Sequence, residues 1–144
     1  MYEYKAKLVK IVDGDTVDVD IFLGFDIVLS DQRIRLYGID TPESRTRDLE
    51  EKKFGKLASK FLEDNLTEEF VIRTHKDAKG KYGRILGELV VYNPEQEKWN
   101  RNLNREMISK NLAVEYKGQS KELVEEGHLF NREVLYDKGV VIRG

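Results

Sequence analysis

A series of β-strand patterns joined by short turns fills the N-terminal quarter of the chain and constrains the fold more than any other feature. Residues 7–12 form the first predicted strand, and apolar residues alternate with aspartates over residues 17–21, as in a half-buried strand. Gly24 interrupts this pattern, residues 25–29 resume it, and residues 33–39 form the next strand. Strands in this order, with turns too short for a crossover, predict an antiparallel meander.

A helix and two further strands follow the meander. Apolar side chains recur at helical spacing over residues 54–62, so we expect an amphipathic helix whose pattern ends near Asn65. Residues 70–75 and 85–92 predict the fourth and fifth strands, with a glycine-containing loop between them. A helix between the third and fourth of five strands is the layout of a small Greek-key barrel of the OB type.

Two more helices are expected in the C-terminal part. Apolar spacing predicts one over residues 103–112, with Asn111 as a residue that tolerates the left-handed conformation near its end. A third helix is predicted over residues 123–135, with Ser120 as its N-cap and Gly139 as its stop. The predicted fold is therefore α+β, a five-stranded Greek-key β-barrel (OB-fold) with three helices.

Composition limits the class of protein. Residues 1–144 are enough for a single domain with its own core, and the lack of cysteine excludes disulfides and thiolate metal sites. The chain begins without an apolar signal segment and has no apolar run of membrane-spanning length. We therefore expect a soluble monomer without membrane contacts, cytoplasmic unless a leader was removed. With 25 basic and 27 acidic residues, a polyanion would have to meet a local positive site or a metal ion.

Charged residues concentrate where the strand over residues 33–39 ends. A glycine and a proline terminate the strand and deliver Asp40, Thr41 and Glu43 into a turn, with Arg35 a few residues behind. Taken alone, this stretch is equally well explained as a solvated turn in which Thr41 and the following proline open a helix. Two further motifs, at residues 13–16 and 81–84, favour a functional interpretation.

The charged residues at these turns form a set suited to phosphate chemistry. Asp15, Asp40 and Glu43 would repel a phosphate unless a cation lay between them. Two aspartates with a backbone carbonyl are hard oxygen ligands, which suit calcium or magnesium rather than zinc. Arg35 and Arg84 can hold phosphate oxygens and stabilise developing charge, and Glu43 can act as general base on a water. The set indicates phosphodiester hydrolysis.

In order along the chain, these motifs resemble the staphylococcal nuclease (thermonuclease) family. The resemblance covers most of residues 7–113 and fades to helix periodicity after Lys117. The matching residues are Val-Asp-Gly-Asp-Thr-Val at 12–17, Arg35, Ile-Asp-Thr-Pro-Glu at 39–43, Phe54-Gly55 and Lys-Tyr-Gly-Arg at 81–84, with looser matches at Leu103-Asn104 and 111–113.

The resemblance implies a calcium-dependent nuclease that cuts the 5′ P–O bond of DNA and RNA and leaves 3′-phosphates. It implies that Asp15 and Asp40 bind calcium through their side chains and that Thr41 binds it through its carbonyl. It also assigns water activation to Glu43.

The same resemblance assigns the phosphate and nucleotide contacts. Arg35 and Arg84 would contact the scissile phosphate, and Lys81 and Tyr82 would border the nucleotide pocket. The family's paired tyrosines after the second helix are reduced here to Tyr116. Because Tyr82 and Tyr116 could stack only on bases that are free of a duplex, we expect a preference for single strands.

Two alternatives use other features of the sequence. A non-catalytic OB-fold domain that binds single-stranded nucleic acid is the main alternative, because many such folds bind without chemistry. A degenerate nuclease would have lost one of the five charged site residues, and all five are present. His75 and His128 would suit a metal-free two-histidine ribonuclease, but nothing in the sequence places them together.

Overall fold

The computed structural model describes residues 2–75 and 85–144. Within these ranges the chain forms eight strands and three helices. In chain order they are β1 (Tyr2–Asp13), β2 (Thr16–Gly24), β3 (Ile27–Leu36), β4 (Ile39–Asp40), α1 (Leu49–Asn65), β5 (Glu69–His75), β6 (Ile85–Asn93), β7 (Lys98–Asn102), α2 (Leu103–Ser109), β8 (Val114–Glu115) and α3 (Lys121–Asp137).

The main sheet has six strands, of which β3, β2, β1, β5 and β6 close into a barrel while β7 pairs with β6 outside it. Its strand order is β3-β2-β1-β5-β6-β7, and its neighbouring strands run antiparallel. A parallel pairing between β3 and β6, from Ile34 opposite Ile85 to Leu36 opposite Gly87, joins the two ends of the barrel. Strands β4 and β8 form a separate two-stranded sheet. The predicted α+β barrel of the OB type with three helices is confirmed.

One hydrophobic core fills the barrel and continues under the helices. Alternate residues of β2 and β3 point inward, and α1 contributes a buried face that includes Phe54, Ala58 and Leu62. Leu103 and Met107 of α2 join the same core. Among the described residues, no helix has the length and apolar composition needed to cross a bilayer.

The turn between β2 and β3 and the start of the first helix differ from the prediction. Phe25 and Asp26 have φ values of 53° and 61°, so a two-residue turn lies there and β3 runs without a break from Ile27. The alternative in which Thr41 opens a helix is wrong, because α1 begins at Leu49. The side chain of Asp48 caps it by accepting hydrogen bonds from two N–H groups of its first turn.

The signals predicted for the C-terminal helices are confirmed. Ser120 caps α3 by accepting a hydrogen bond from the N–H of Leu123, and Gly139 follows the helix with φ 72°. Asn111 adopts the left-handed conformation, with φ 61°, just after α2.

An ion pair between a buried aspartate and a half-exposed arginine in the barrel wall makes stability depend on acid pH. Asp18 of β2 is nearly buried and accepts hydrogen bonds from Arg33 of β3, at 2.8 Å from Nε and 3.1 Å from Nη2. These hydrogen bonds lower the pKa of Asp18 below its ordinary value of 3.8. Because the pKa is lowered by folding, the pair stabilises the fold fully above that ordinary value, and the contribution is lost as the pH falls below it.

We therefore expect the free energy of unfolding to fall more steeply between about pH 4 and pH 2 in the wild type than in Arg33→Leu. In the variant, Asp18 has lost the donor that lowers its pKa. Urea unfolding at a series of pH values measures the difference. Equal pH slopes for the two proteins would show that the pair makes no pH-dependent contribution.

Candidate active site

The predicted site residues come from three neighbouring segments at one end of the barrel. Asp15 lies in the turn between β1 and β2, Arg35 near the end of β3, and Asp40 in β4. The register between β2 and β3 places Thr16 opposite Arg35, and the N–H of Leu36 donates to the carbonyl of Asp15 at 2.8 Å. The β2–β3 pairing therefore holds the Asp15 turn against the Arg35 strand.

Two carboxylates converge on one guanidinium nitrogen. Nη2 of Arg35 lies 3.5 Å from Oδ2 of Asp15 and 3.5 Å from Oδ1 of Asp40. The side chains of Arg35 and Asp15 are only 16% and 15% exposed, whereas that of Asp40 is 32% exposed. Nη1 of Arg35 also donates to the carbonyl of Leu36 at 3.0 Å, which anchors the guanidinium to its own strand. The result is a compact, partly buried cluster of two negative charges and one positive charge.

The Asp15 carboxylate is held in place by its neighbours. Oδ1 accepts a hydrogen bond from the hydroxyl of Thr16 at 3.1 Å, and Oδ2 accepts one from the backbone N–H of Thr41 at 3.2 Å. Thr41 itself is 5% exposed. Asp15, Arg35, Asp40 and Thr41, four of the residues predicted from the sequence, are thus brought together by direct contacts.

Glu43 is exposed, and its backbone is fixed by helix α1. Its N–H donates to Oε2 of Glu51, in the first turns of α1, at 3.0 Å. Gly55 of α1 packs so closely that an added Cβ would overlap the carbonyl group of Glu43 and lie 2.6 Å from the backbone N of Ser44. The absence of a side chain at Gly55 therefore allows the helix to contact the Glu43 backbone directly.

The nucleotide-pocket predictions divide into described and undescribed residues. Lys81, Tyr82 and Arg84 lie outside the described residues. Tyr116, which follows β8, is 44% exposed, and its N–H donates to the carbonyl of Gly38 at 2.7 Å. Gly38 stands between Arg35 and Asp40 in the sequence, so this hydrogen bond joins the Tyr116 segment to the turn that carries the charged cluster.

An aromatic pair that the sequence analysis did not single out lies at the same turn. The rings of Tyr37 and His75 are stacked, with centroids 3.6 Å apart and planes at 5°, and Tyr37 is 43% exposed. Nε2 of His75 lies 2.7 Å from Oε2 of Glu88. Burial would raise the pKa of Glu88, but hydrogen bonds from His75 and Asn102 outweigh it, so the pKa is lowered.

The contact between His128 and the charged cluster was not predicted from the sequence. His128 lies in α3, is 7% exposed, and its Nε2 is 2.7 Å from Oδ2 of Asp40. His75 has a different partner, so the contacts do not support the two-histidine alternative. A signal was available in the sequence, because His128 is seven positions before Leu135 and so shares the core-facing side of the helix, where a histidine needs a polar partner.

The donor set suits a hard cation only if backbone and solvent oxygens take part. Within residues 2–75 and 85–144, no three Asp, Glu, His or Cys side chains form a group that could hold a metal ion. Oδ2 of Asp15 and Oδ1 of Asp40 nevertheless converge on the cationic group of Arg35. Two carboxylates, with a backbone carbonyl and water, would supply the oxygen ligands that calcium and magnesium prefer. The residues present therefore fit such a cation.

Comparison with known proteins finds relatives that are named as nucleases. A thermonuclease of Staphylococcus intermedius is 36% identical over 78 residues, which are 54% of this chain and 43% of that protein. A thermonuclease of Staphylococcus hyicus is 32% identical over 114 residues, 78% of this chain and 57% of that protein. A micrococcal nuclease of Shigella flexneri is 33% identical over 121 residues, 80% of this chain and 60% of that protein.

The matched region thus amounts to between 43% and 60% of the length of these relatives. The family model described as staphylococcal nuclease homologue matches residues 33–134. This range includes Arg35, Asp40 and Glu43 and extends through most of α3. Because the match covers more than half of the sequence, the chain belongs to the staphylococcal nuclease homologue family.

Proposed function

We propose that the protein is a calcium-dependent nuclease that hydrolyses phosphodiester bonds in DNA and RNA. The observation that carries this proposal is the convergence of Asp15 and Asp40 on Arg35 at the barrel end. Such a cluster offers a phosphate both a guanidinium and, through the carboxylates, a cation site. The names of the relatives, thermonuclease and micrococcal nuclease, support the same reaction.

The two arginines hold the scissile phosphate in this proposal. The planar guanidinium of Arg35 can donate to two phosphate oxygens at once, and its partial burial strengthens these charge-assisted hydrogen bonds. The resemblance alone assigns Arg84, which would contact the same phosphate and the leaving oxygen. Donors fixed before the reaction stabilise the negative charge that develops on the phosphoryl oxygens.

Glu43 is the proposed general base. Its exposure gives solvent access to the carboxylate, and its backbone is fixed by α1. The carboxylate takes a proton from a water whose oxygen forms the new bond to phosphorus. The bond between phosphorus and the 5′ oxygen breaks, the 5′ oxygen takes a proton from solvent, and the phosphate stays on the 3′ end. The products are therefore a 3′-phosphate and a 5′-hydroxyl.

Asp15, Asp40 and the carbonyl of Thr41 are the proposed calcium ligands. Calcium bound there would supply positive charge that offsets the negative charge of the phosphate. The N–H of Thr41 donates to Asp15, so the two residues that carry these ligands are already in contact. We propose calcium rather than magnesium because calcium accepts six to eight oxygens in flexible geometry, whereas magnesium demands a near-ideal octahedron.

We expect Asp40→Asn to raise the calcium concentration for half-maximal activity by about tenfold, because affinity follows ligand charge. Activity during a calcium titration after chelation measures this shift, and thermal melting in chelator shows whether the fold is kept. Asp26→Asn makes the same chemical change at the exposed turn between β2 and β3 and should leave the titration unchanged. Full wild-type activity in chelator would remove the metal from the mechanism.

A DNA hairpin with a long loop tests the reaction and the strand preference together. Each base stacked on a tyrosine is worth about 1–3 kcal/mol, and only loop bases are free to stack on Tyr116. We therefore expect cleavage in the loop to be about tenfold faster or more than in the stem. Mass spectrometry should find 3′-phosphate and 5′-hydroxyl ends.

Other results of the hairpin experiment would contradict different parts of the proposal. Equal rates in stem and loop would contradict the single-strand preference but not the hydrolysis. Binding without cleavage, with or without calcium, would instead support the second candidate, a non-catalytic OB-fold domain for single-stranded nucleic acid. The half-exposed Tyr37 and Tyr116 at the Asp40 turn favour that candidate if catalysis fails.

A further inference from the structure

A buried hydrogen bond joins helix α3 to the charged cluster. We propose that His128 is a positioning residue, which fixes the Asp40 carboxylate in the orientation that calcium binding requires. The proposal rests on the proposed function, because it gives Asp40 a partner in that same site. It also assigns a role to α3, the part of the chain where the sequence motifs fade.

The two oxygens of the Asp40 carboxylate have different partners. Oδ2 lies 2.7 Å from Nε2 of His128, and Oδ1 lies 3.5 Å from Nη2 of Arg35, which also contacts Asp15. A carboxylate held at one oxygen cannot rotate freely about its last bond. The contact with His128 therefore turns Oδ1 towards the Asp15 side of the cluster.

The close approach of α3 to Asp40 depends on the residue before His128. A Cβ at Gly127 would lie 2.9 Å from both Cγ1 and Cγ2 of Val114. Val114 of β8 is in turn the strand partner of Asp40 in β4. The missing side chain at Gly127 thus lets the helix pack directly on the strand that pairs with Asp40, which brings His128 within hydrogen-bonding distance.

A further polar contact holds α3 beside the start of β8. Asn131 donates to the carbonyl of Ala113 at 3.2 Å. Nδ1 of His128 and Nε of Arg132 are buried and have no hydrogen-bond partner among the described residues. Both side chains line a cavity of about 10 Å³, which is room for one water that could hold the ring from its other side.

Hydrogen bonds of this kind set metal affinity in other proteins. Removing an outer partner of a metal ligand commonly weakens metal binding by about 10–100-fold, although the ligand itself is unchanged. We therefore expect His128→Leu to weaken calcium binding by about tenfold or more. His128→Gln, whose amide can still donate to Oδ2, should stay within about threefold of the wild type.

Calorimetric titration of the chelated protein with calcium chloride measures this affinity directly, without substrate. Tyr136→Phe is the matched control, because it removes an equally short contact of α3, 2.7 Å to Glu50, that does not involve Asp40. It should bind calcium like the wild type. If His128→Leu does not fold, His128→Asn replaces it, since its shorter amide suits a polar site but cannot reach Asp40.

A double-mutant cycle in chelator tests the contact without any metal. If His128 and Asp40 interact, the melting-temperature losses of His128→Leu and Asp40→Asn will not add in the double variant. A wild type that binds no calcium would overturn the proposed metal dependence and this inference with it. A wild type that binds calcium no more tightly than His128→Leu, or additive losses in the cycle, would overturn the role of His128 alone.

Discussion

Replacing Glu43 with Gln is expected to lower kcat by about 10²–10⁴-fold, the usual contribution of a general base. The amide has the same shape as the carboxylate but cannot take a proton from water. Since the side chain is exposed and the backbone N–H of residue 43 still bonds Glu51, the fold should be unchanged. Steady-state cleavage of single-stranded DNA in saturating calcium measures kcat, and thermal melting checks the fold.

Glu63→Gln provides the control for this substitution. Glu63 is an exposed carboxylate of α1, and its replacement should leave kcat unchanged. A Glu43→Gln enzyme that keeps more than about a tenth of wild-type kcat would show that another group or solvent accepts the proton. A parallel loss of kcat and melting temperature would instead make Glu43 a structural residue.

Gly55→Ala should be strongly destabilising, although alanine is the better helix former. In an open helix position the change would stabilise by about 0.5–1 kcal/mol. Here the new Cβ would overlap the carbonyl group of Glu43, and neither backbone can move without displacing the other. We expect a loss of about 3 kcal/mol and a fall in melting temperature on the order of 10 °C. Because the same substitution would raise stability at an open helix position, the sign of the measured change distinguishes the two cases.

The same substitution should lower activity beyond its effect on stability. Moving α1 away from residues 43–44 shifts the proposed base, and a misplacement of about 1 Å can cost 10²-fold in rate. Lys56→Ala, the neighbouring exposed position of α1, is the control and should change neither property much. A Gly55→Ala protein as stable and as active as Lys56→Ala would show that the helix is not fixed against Glu43.

Most of the barrel could be predicted because its strands and turns are determined by residues that are close together in the sequence. Alternating residues and turns indicate each strand, and Ser120 and Gly139 mark the ends of α3 through contacts within a few residues. The turn at Phe25 and Asp26 was not predicted, because both residues adopt a left-handed conformation that the sequence gives no strong reason to expect at phenylalanine. The barrel closure, Ile34 beside Ile85, likewise depends on a pairing distant in sequence.

The site likewise has features that local sequence predicts and features that depend on contacts distant in sequence. Asp40, Thr41 and Glu43 could be predicted because they are adjacent in one motif. The alternative in which Thr41 opens a helix was wrong because the N–H of Thr41 donates to Asp15, 26 positions away, and the turn leads instead to a cap at residue 48. The contact of His128 with the cluster was not predicted because its partner, Asp40, is 88 positions away and only the packing of α3 brings them together.

The two-stranded sheet that carries Asp40 connects the proposed calcium site to helix α3. Asp15 belongs to the barrel, whereas Asp40 pairs with Val114, and Val114 is the residue on which Gly127 of α3 rests. Of the proposed ligands, Asp15 thus lies beside the barrel, and Asp40 lies in the two-stranded sheet on which α3 packs. Calcium binding at Asp40 and the packing of α3 on β8 would then be thermodynamically linked. A bound calcium ion would raise the free energy needed to separate the helix from the sheet. The packing of α3 would thus help to hold Asp40 in its place in the site.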